Sequence, residues 1–180
     1  MTYTAFRGTT ILASGALSQV LAALKPQFDL DPGAVFLIFE DATGKQVDFD
    51  LRGTLSEVQA RYAQPAQRVG PGRPKLGVVA REISLLPRHW EWLERQPSGA
   101  SAAIRRLVDE ARKLNPGEQQ AKSAVEAAGR FLTAMAGNLP EYEEASRALY
   151  ARDRTRFNDL SASWPEDIRL HAQRLIQGAF

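Results

Sequence analysis

Residues 63–77, Ala-Gln-Pro-Ala-Gln-Arg-Val-Gly-Pro-Gly-Arg-Pro-Lys-Leu-Gly, constrain the fold of this chain more than any other stretch. Three Pro and three Gly stand there without an apolar period. Pro fixes φ and withholds a backbone donor, while Gly multiplies the unfolded conformations, so neither helix nor strand is expected. A linker at this place divides the 180 residues unevenly. The fold class expected is α+β, in four parts. These are a small α+β domain over 1–62, the Pro/Gly-rich linker over 63–77, a strand–helix–helix unit over 78–114, and an α-helical region over 115–180. A chain of this length buries roughly 70% of its unfolded surface, which suffices for one domain or two small ones.

Local patterns supply the elements. Residues 2–6 and 9–13 are β-prone and meet at Arg7-Gly8, as one bent strand or a short hairpin. Leu17, Val20, Leu21 and Leu24 share one face of a helix over 16–24, which Lys25-Pro26 is expected to end. An apolar strand over 34–39 leads into a turn at Asp41-Ala42-Thr43-Gly44. A second strand over 46–51 then alternates Val47, Phe49 and Leu51 with Asp48 and Asp50. Thr54-Leu55-Ser56-Glu57 has capping-box spacing and opens a helix to about Tyr62. Beyond the linker a short strand is expected over 78–85, then a helix from Pro87 to about Gln96. After a turn at Pro97-Ser98-Gly99, a second helix runs from about Ala100 to Leu114. Asn115-Pro116-Gly117-Glu118 starts a helix through about Met135, and Asn138-Leu139-Pro140-Glu141 another through about Tyr150. A helix over 153–160 follows. Ser163-Trp164-Pro165-Glu166 reads as a capping box for a last helix to about Gln177.

Composition excludes several chemistries. With 44% hydrophobic and 24% charged residues the chain has the make-up of a soluble globular protein. It contains no Cys, so disulfides, thiol nucleophiles and Cys-ligated metal sites are out. No apolar run reaches 18 residues and no basic start leads into an apolar stretch, which makes the cytoplasm the expected compartment. The net charge of +2 conceals an uneven distribution. Residues 61–114 carry 11 Lys and Arg against 5 Asp and Glu, a net +6. The segments on either side, 1–60 and 115–180, carry −3 and −1. A basic middle between acidic ends is the asymmetry that directs contact with a polyanion.

The basic window contains a motif. Ala80-Arg81-Glu82-Ile83-Ser84-Leu85-Leu86-Pro87-Arg88-His89-Trp90-Glu91-Trp92-Leu93-Glu94-Arg95, followed by Ser98 through Glu110, resembles a ribbon-helix-helix DNA-binding unit. The resemblance implies that the short strand pairs with its twin from a second subunit, that the ribbon enters the major groove, and that the second helix meets a phosphate at its start. With Ile83 and Leu85 inward, the groove-facing residues are Ala80, Glu82 and Ser84. The opposite register presents Arg81 and Ile83 but turns Leu85 outward. Ser98 and Ser101 stand where the phosphate contact falls, and Arg105 and Arg106 follow on the second helix. Trp90, Leu93 and Trp92 are candidates for the core, with Ile104, Leu107 and Val108 opposite them. Just upstream, Pro71-Gly72-Arg73-Pro74-Lys75 resembles the core of an AT-hook, which lays Arg in a narrow minor groove. Pro71 occupies the place of that motif's other Arg, so half its charge is missing. The candidate nucleic-acid contacts are therefore Arg73, Lys75, Arg81, Glu82, Ser84, Ser98, Ser101, Arg105 and Arg106.

Candidates for catalysis do not assemble. His89 and His171 lie far apart, each on a helix and without a partner at ligand spacing. Asp48 and Asp50 share a strand face, which their alternation with apolar residues explains as its solvent side. Glu141, Glu143 and Glu144 suit the start of a helix. Gly70-Pro71-Gly72 lacks the Lys-Ser/Thr that a phosphate loop needs. Trp90 and Trp92 could stack on bases, yet one helix cannot bury both on one face. No nucleophile, base and oxyanion site can be put together, so the chain is expected not to be an enzyme and to take no cofactor or metal.

Three further segments carry a resemblance over the whole chain. They are Gly72-Arg73-Pro74-Lys75-Leu76-Gly77-Val78-Val79-Ala80-Arg81-Glu82, Leu86-Pro87-Arg88-His89-Trp90-Glu91-Trp92-Leu93, and Phe131-Leu132-Thr133-Ala134-Met135-Ala136-Gly137-Asn138-Leu139-Pro140. On these the chain resembles an uncharacterised bacterial family, domain of unknown function 2239, which brings no activity or site with it. The function expected is that of a homodimeric, DNA-binding transcriptional regulator, with double-stranded DNA as partner and no membrane. The alternative is a protein-interaction or scaffold module that uses the Trp pair and the C-terminal helices.

Overall fold

The computed structural model describes residues 1–63, 79–114 and 116–179. They fall into two compact units: residues 1–63 with those from 117 onward, and the residues of 64–116. The described strands are β1 Thr2–Arg7, β2 Thr10–Ala16, β3 Leu37–Glu40 and β4 Lys45–Val47. The described helices are α1 Leu17–Leu30, α2 Leu55–Tyr62, α3 Pro87–Glu94, α4 Gly99–Leu114, α5 Pro116–Ala136, α6 Tyr142–Tyr150, α7 Arg154–Leu160 and α8 Glu166–Leu175. An antiparallel sheet and a majority of helix make the fold class α+β, as the sequence implies.

The sheet has the order β2-β1-β3-β4, every pair antiparallel. Residues 2–16 form a hairpin, with a register shift between Ala5 and Phe6. Alternation sends successive side chains to opposite faces, and here both faces are apolar. Ala5 and its β3 partner Ile38 join Val20, Leu21 and Leu24 of α1 and Val58 of α2. Phe6 and Phe39 face the other way, into a core with Phe131 and Leu132 of α5 and Ile168 of α8. A sheet apolar on both faces needs two covers. The front segment supplies α1 and α2, and the back of the chain supplies the rest. The domain expected over 1–62 and the helical region expected over 115–180 are for this reason not separate: residues 1–63 and those from 117 onward are built into one unit.

Several local expectations are met and others corrected. Thr54 caps α2 reciprocally with Glu57: Glu57 N donates to Thr54 Oγ1 at 3.3 Å, and Thr54 N donates to Glu57 Oε2 at 2.7 Å. That is the capping box read from the sequence. Pro26, by contrast, does not end α1, which continues to Leu30. A helical Pro costs about 3 kcal/mol locally, but Phe28 beyond it packs on the same core as Leu21 and Leu24. The strand expected over 46–51 stops at Val47. Asp50 there turns the chain by accepting from Arg52 N at 3.0 Å and from both ends of the Arg52 guanidinium at 2.9 Å. Ser163 caps nothing: Pro165 is the N-cap of α8. Trp164 is instead buried and donates its Nε1–H to the Pro140 carbonyl at 2.7 Å.

The turn at 41–44 is confirmed, with Gly44 N donating to Glu40 O at 2.8 Å. Gly44 holds φ at +65°, and a Cβ on it would overlap the Ala127 carbonyl of α5. Only Gly fits there on both counts. The linker expected over 63–77 lies, but for Ala63, outside the described residues. The strand expected over 78–85 needs correction. Residues 79–86 pair with no described strand of this chain.

Candidate functional site

In the second unit, residues 79–86 lead directly into α3, where Pro87 takes the first position and so loses no helical hydrogen bond. Leu86 is the N-cap. Gln96 N donates to Leu93 O at 3.1 Å and Gly99 N to Gln96 O at 3.0 Å, which folds the chain back into α4. Gly99 sits at φ +72° in this turn, a conformation that an L side chain adopts only at a cost.

The two helices enclose little. Leu93 and Ala103 are the buried apolar residues of the described part of this unit. Ile83 and Leu85 of the extended segment line an open groove of about 510 Å³ with Trp92 of α3 and Ile104, Leu107 and Val108 of α4. Arg88 and His89 stand at its side. Ile83, Trp92, Leu107 and Val108 are between 42% and 53% exposed. Trp90 is half-buried and Trp92 exposed, in keeping with one helix being unable to bury both. Groove lining by Ile83 and Leu85 matches the register in which those two point inward.

The expected contact residues that the structure describes lie outside the groove. Arg81, Glu82 and Ser84 are exposed on the extended segment and are not among its lining. Ser98 is exposed in the turn and Ser101 in the first turn of α4. Arg105 and Arg106 are exposed further along α4. Arg106 donates to Gln96 Oε1 at 3.3 Å and pairs with Glu110 at 3.8 Å. The structure thus brings Arg81, Glu82, Ser84, Ser98, Ser101, Arg105 and Arg106 into one unit. Arg73 and Lys75, with the AT-hook-like segment around them, lie outside the described residues.

The first unit buries a histidine that the sequence offered only as a lone helical His. His171 of α8 is fully buried between Phe6, with ring centroids 5.6 Å apart, and Phe131, at 4.6 Å. Its Nε2 lies 3.7 Å from Asp41 Oδ1, too far for a hydrogen bond, and neither ring nitrogen has a hydrogen-bond partner. Asp41 is instead taken by Thr4, whose Oγ1 donates to Oδ1 at 2.9 Å. Burial pushes the His171 pKa down to about 4, against the pull of Asp41 and with help from the positive charge of Arg174. His171 is therefore a neutral core residue at pH 7. A signal for it existed: it shares the buried face of α8 with Ile168, Ala172 and Leu175. His89 is exposed on α3.

Asp50 and Glu144 among the acidic candidates are held in ion pairs. Asp48 is exposed, and Asp50 is held below the usual carboxylate range by its hydrogen bonds from Arg52, with Arg61 at 3.6 Å adding to the effect. Glu144 meets Arg147 and, at 2.9 Å, Arg156. Among the described residues no group of three His, Asp or Glu could hold a metal ion. No described helix is long and apolar enough to cross a membrane.

A family model described as "Uncharacterized protein conserved in bacteria (DUF2239)" matches residues 2–176. No curated protein and no solved structure matches the chain.

Proposed function

We propose, for a chain that belongs to the bacterial family DUF2239, that residues 79–114 form half of a dimeric DNA-binding unit and that the protein is a transcriptional regulator. The observation that carries this reading is the open groove over α3 and α4. Among the described residues, α3, α4 and the segment before them bury Leu93 and Ala103 and leave Ile83, Trp92, Leu107 and Val108 about half exposed, an apolar surface of the kind that interaction sites present. A second copy covers that surface. The extended segment beside the groove, with no strand partner among the described residues, then pairs with its twin as a two-stranded ribbon. The sequence supports this assignment through its resemblance to ribbon-helix-helix units and through the +6 charge of residues 61–114.

On this reading the protein acts by binding and not by catalysis. Glu82 and Ser84 face bases, Glu82 accepting from a cytosine amine, while Ser98 and Ser101 meet a phosphate at the start of α4. Arg81, Arg105 and Arg106 supply charge for the backbone, joined by Arg73 and Lys75.

The test is an electrophoretic mobility shift with random-sequence duplex DNA, run at several salt concentrations beside sedimentation of the free protein. A dimer that binds at low salt, and weakens by orders of magnitude from about 50 to about 200 mM, is expected if several phosphates are contacted. The combined Arg81→Ala, Arg105→Ala and Arg106→Ala variant should flatten that salt dependence. Micromolar protein that fails to shift DNA at low salt sinks the reading. A dimer without DNA binding would favour the interaction-module alternative.

A further inference from the structure

We propose that the cleft between α7 and α8, in the first unit, is a binding site for a small organic carboxylate. The cleft measures about 490 Å³, within the usual range of ligand sites and far larger than an inorganic ion needs. It is lined by Arg174, by the amides Asn158, Gln173 and Gln177, and by Leu170, with no acidic side chain among the described lining residues. Ile176 closes its apolar part, and Arg154, which has contacts of its own, adds a second guanidinium.

Arg174 is the anchor. Its Nη1 donates to the neutral Ser14 Oγ at 3.4 Å, and no carboxylate pairs with it among the described residues. A guanidinium presents a fork of parallel N–H donors that a carboxylate fits with both oxygens. The amides are set beforehand, because Gln173 Nε2 donates to Asn158 Oδ1 at 2.9 Å. That bond leaves Gln173 Oε1 and the Asn158 amide N–H groups to meet polar atoms of the ligand body. Asp153 and Asp167, at the starts of the two helices, do not compete for Arg174. Asp153 accepts from Arg156 N at 3.0 Å, and Asp167 from Ile11 N at 2.8 Å.

His171, one turn before Arg174 on the same helix, reports occupancy. The Arg174 charge is one reason its pKa is low, so an anion bound at Arg174 offsets that charge and raises it. A general salt effect on stability would not move His171 selectively, and exposed His89 serves as the internal control.

The experiment uses the whole chain. Thermal unfolding is followed with succinate, 2-oxoglutarate and citrate, and with inorganic phosphate and chloride at matched ionic strength. His171 and His89 are titrated by NMR in the same solutions. At least one of the three carboxylates should raise Tm by roughly 2–6 °C at tenfold excess over its dissociation constant, and should raise the His171 pKa alone. Arg174→Gln should lose both effects, Arg174→Lys should keep part of them, and Gln173→Leu, which leaves the charge in place, should weaken binding severalfold. The proposal is overturned if no carboxylate exceeds chloride, if Arg174→Gln responds like the parent, or if phosphate matches the carboxylates.

Discussion

The two units of this molecule differ in how far they complete their own cores. The first buries Phe6, Phe39, Phe131 and Phe157 fully, with rings packed edge to face: Phe6 lies 6.0 Å and Phe131 5.0 Å from Phe39. The second, in its described part, buries one Leu and one Ala and leaves Ile83, Leu86, Trp92, Leu107 and Val108 about half in water. The contrast separates a finished core from described residues that leave apolar surface in water. Apolar area stabilises a fold by about 25 cal/mol per Å² only once it leaves water, so the open groove contributes little to a single chain.

The sharpest way to break the comparison is to open the finished core. Phe131→Ala removes a ring that touches Phe6, Phe39 and His171, and should cost the first unit about 3–5 kcal/mol in denaturant unfolding. A loss below about 1 kcal/mol would mean that this core is far looser than described.

A second test uses pH. His171 titrates near 6.5 in the unfolded chain and at about 4 in the folded one, so between those values the unfolded state binds the extra proton. Stability is full above about pH 6.5, falls as the pH drops toward 4, and levels off below. The total loss is about 3 kcal/mol. His171→Phe should abolish that slope, read as unfolding midpoints across the window. Carboxylates such as Glu57 and Glu118, whose pKa values are lowered by Thr54 and Arg152, cause their own loss at more acid pH in parent and variant alike.

The smallest effect on stability belongs to the groove. Leu107→Asp, at a residue 42% exposed, should shift unfolding of the first unit by no more than about 0.5 kcal/mol while dispersing any dimer. Sedimentation read beside the unfolding curve sharpens the contrast. A groove residue that proved as costly as Phe131 would erase it.

Much of the local structure was legible. Thr54 and Glu57 reach only one another, and Pro87 and Gly99 act within a turn of where they stand, so spacing alone predicts α2, α3 and α4. Elements failed where distant packing outweighed a local signal. Pro26 stays inside α1 because Phe28 beyond it packs on the core that α1 shares with the sheet. The strand after Gly44 is short because Asp50 is captured by Arg52 and Arg61. Trp164 leaves the expected capping box because its indole finds the Pro140 carbonyl. For the candidate site, the register of Ile83 and Leu85 was readable from hydrophobic alternation. The cleft at Arg174 was not, since its lining joins two helices whose angle no pattern encodes.

By itself, then, the sequence determined what depends on neighbours along the chain: helix starts and stops, the Pro/Gly break, and the concentration of charge in the middle. Only the tertiary structure decided that the two ends build one unit around a sheet apolar on both faces. It alone turned His171 into a neutral core residue and left the face of α3 and α4 open. The reason is physical. Capping and periodicity act over a turn or two of chain, whereas burial, desolvation and the pairing of charges depend on which remote residues meet.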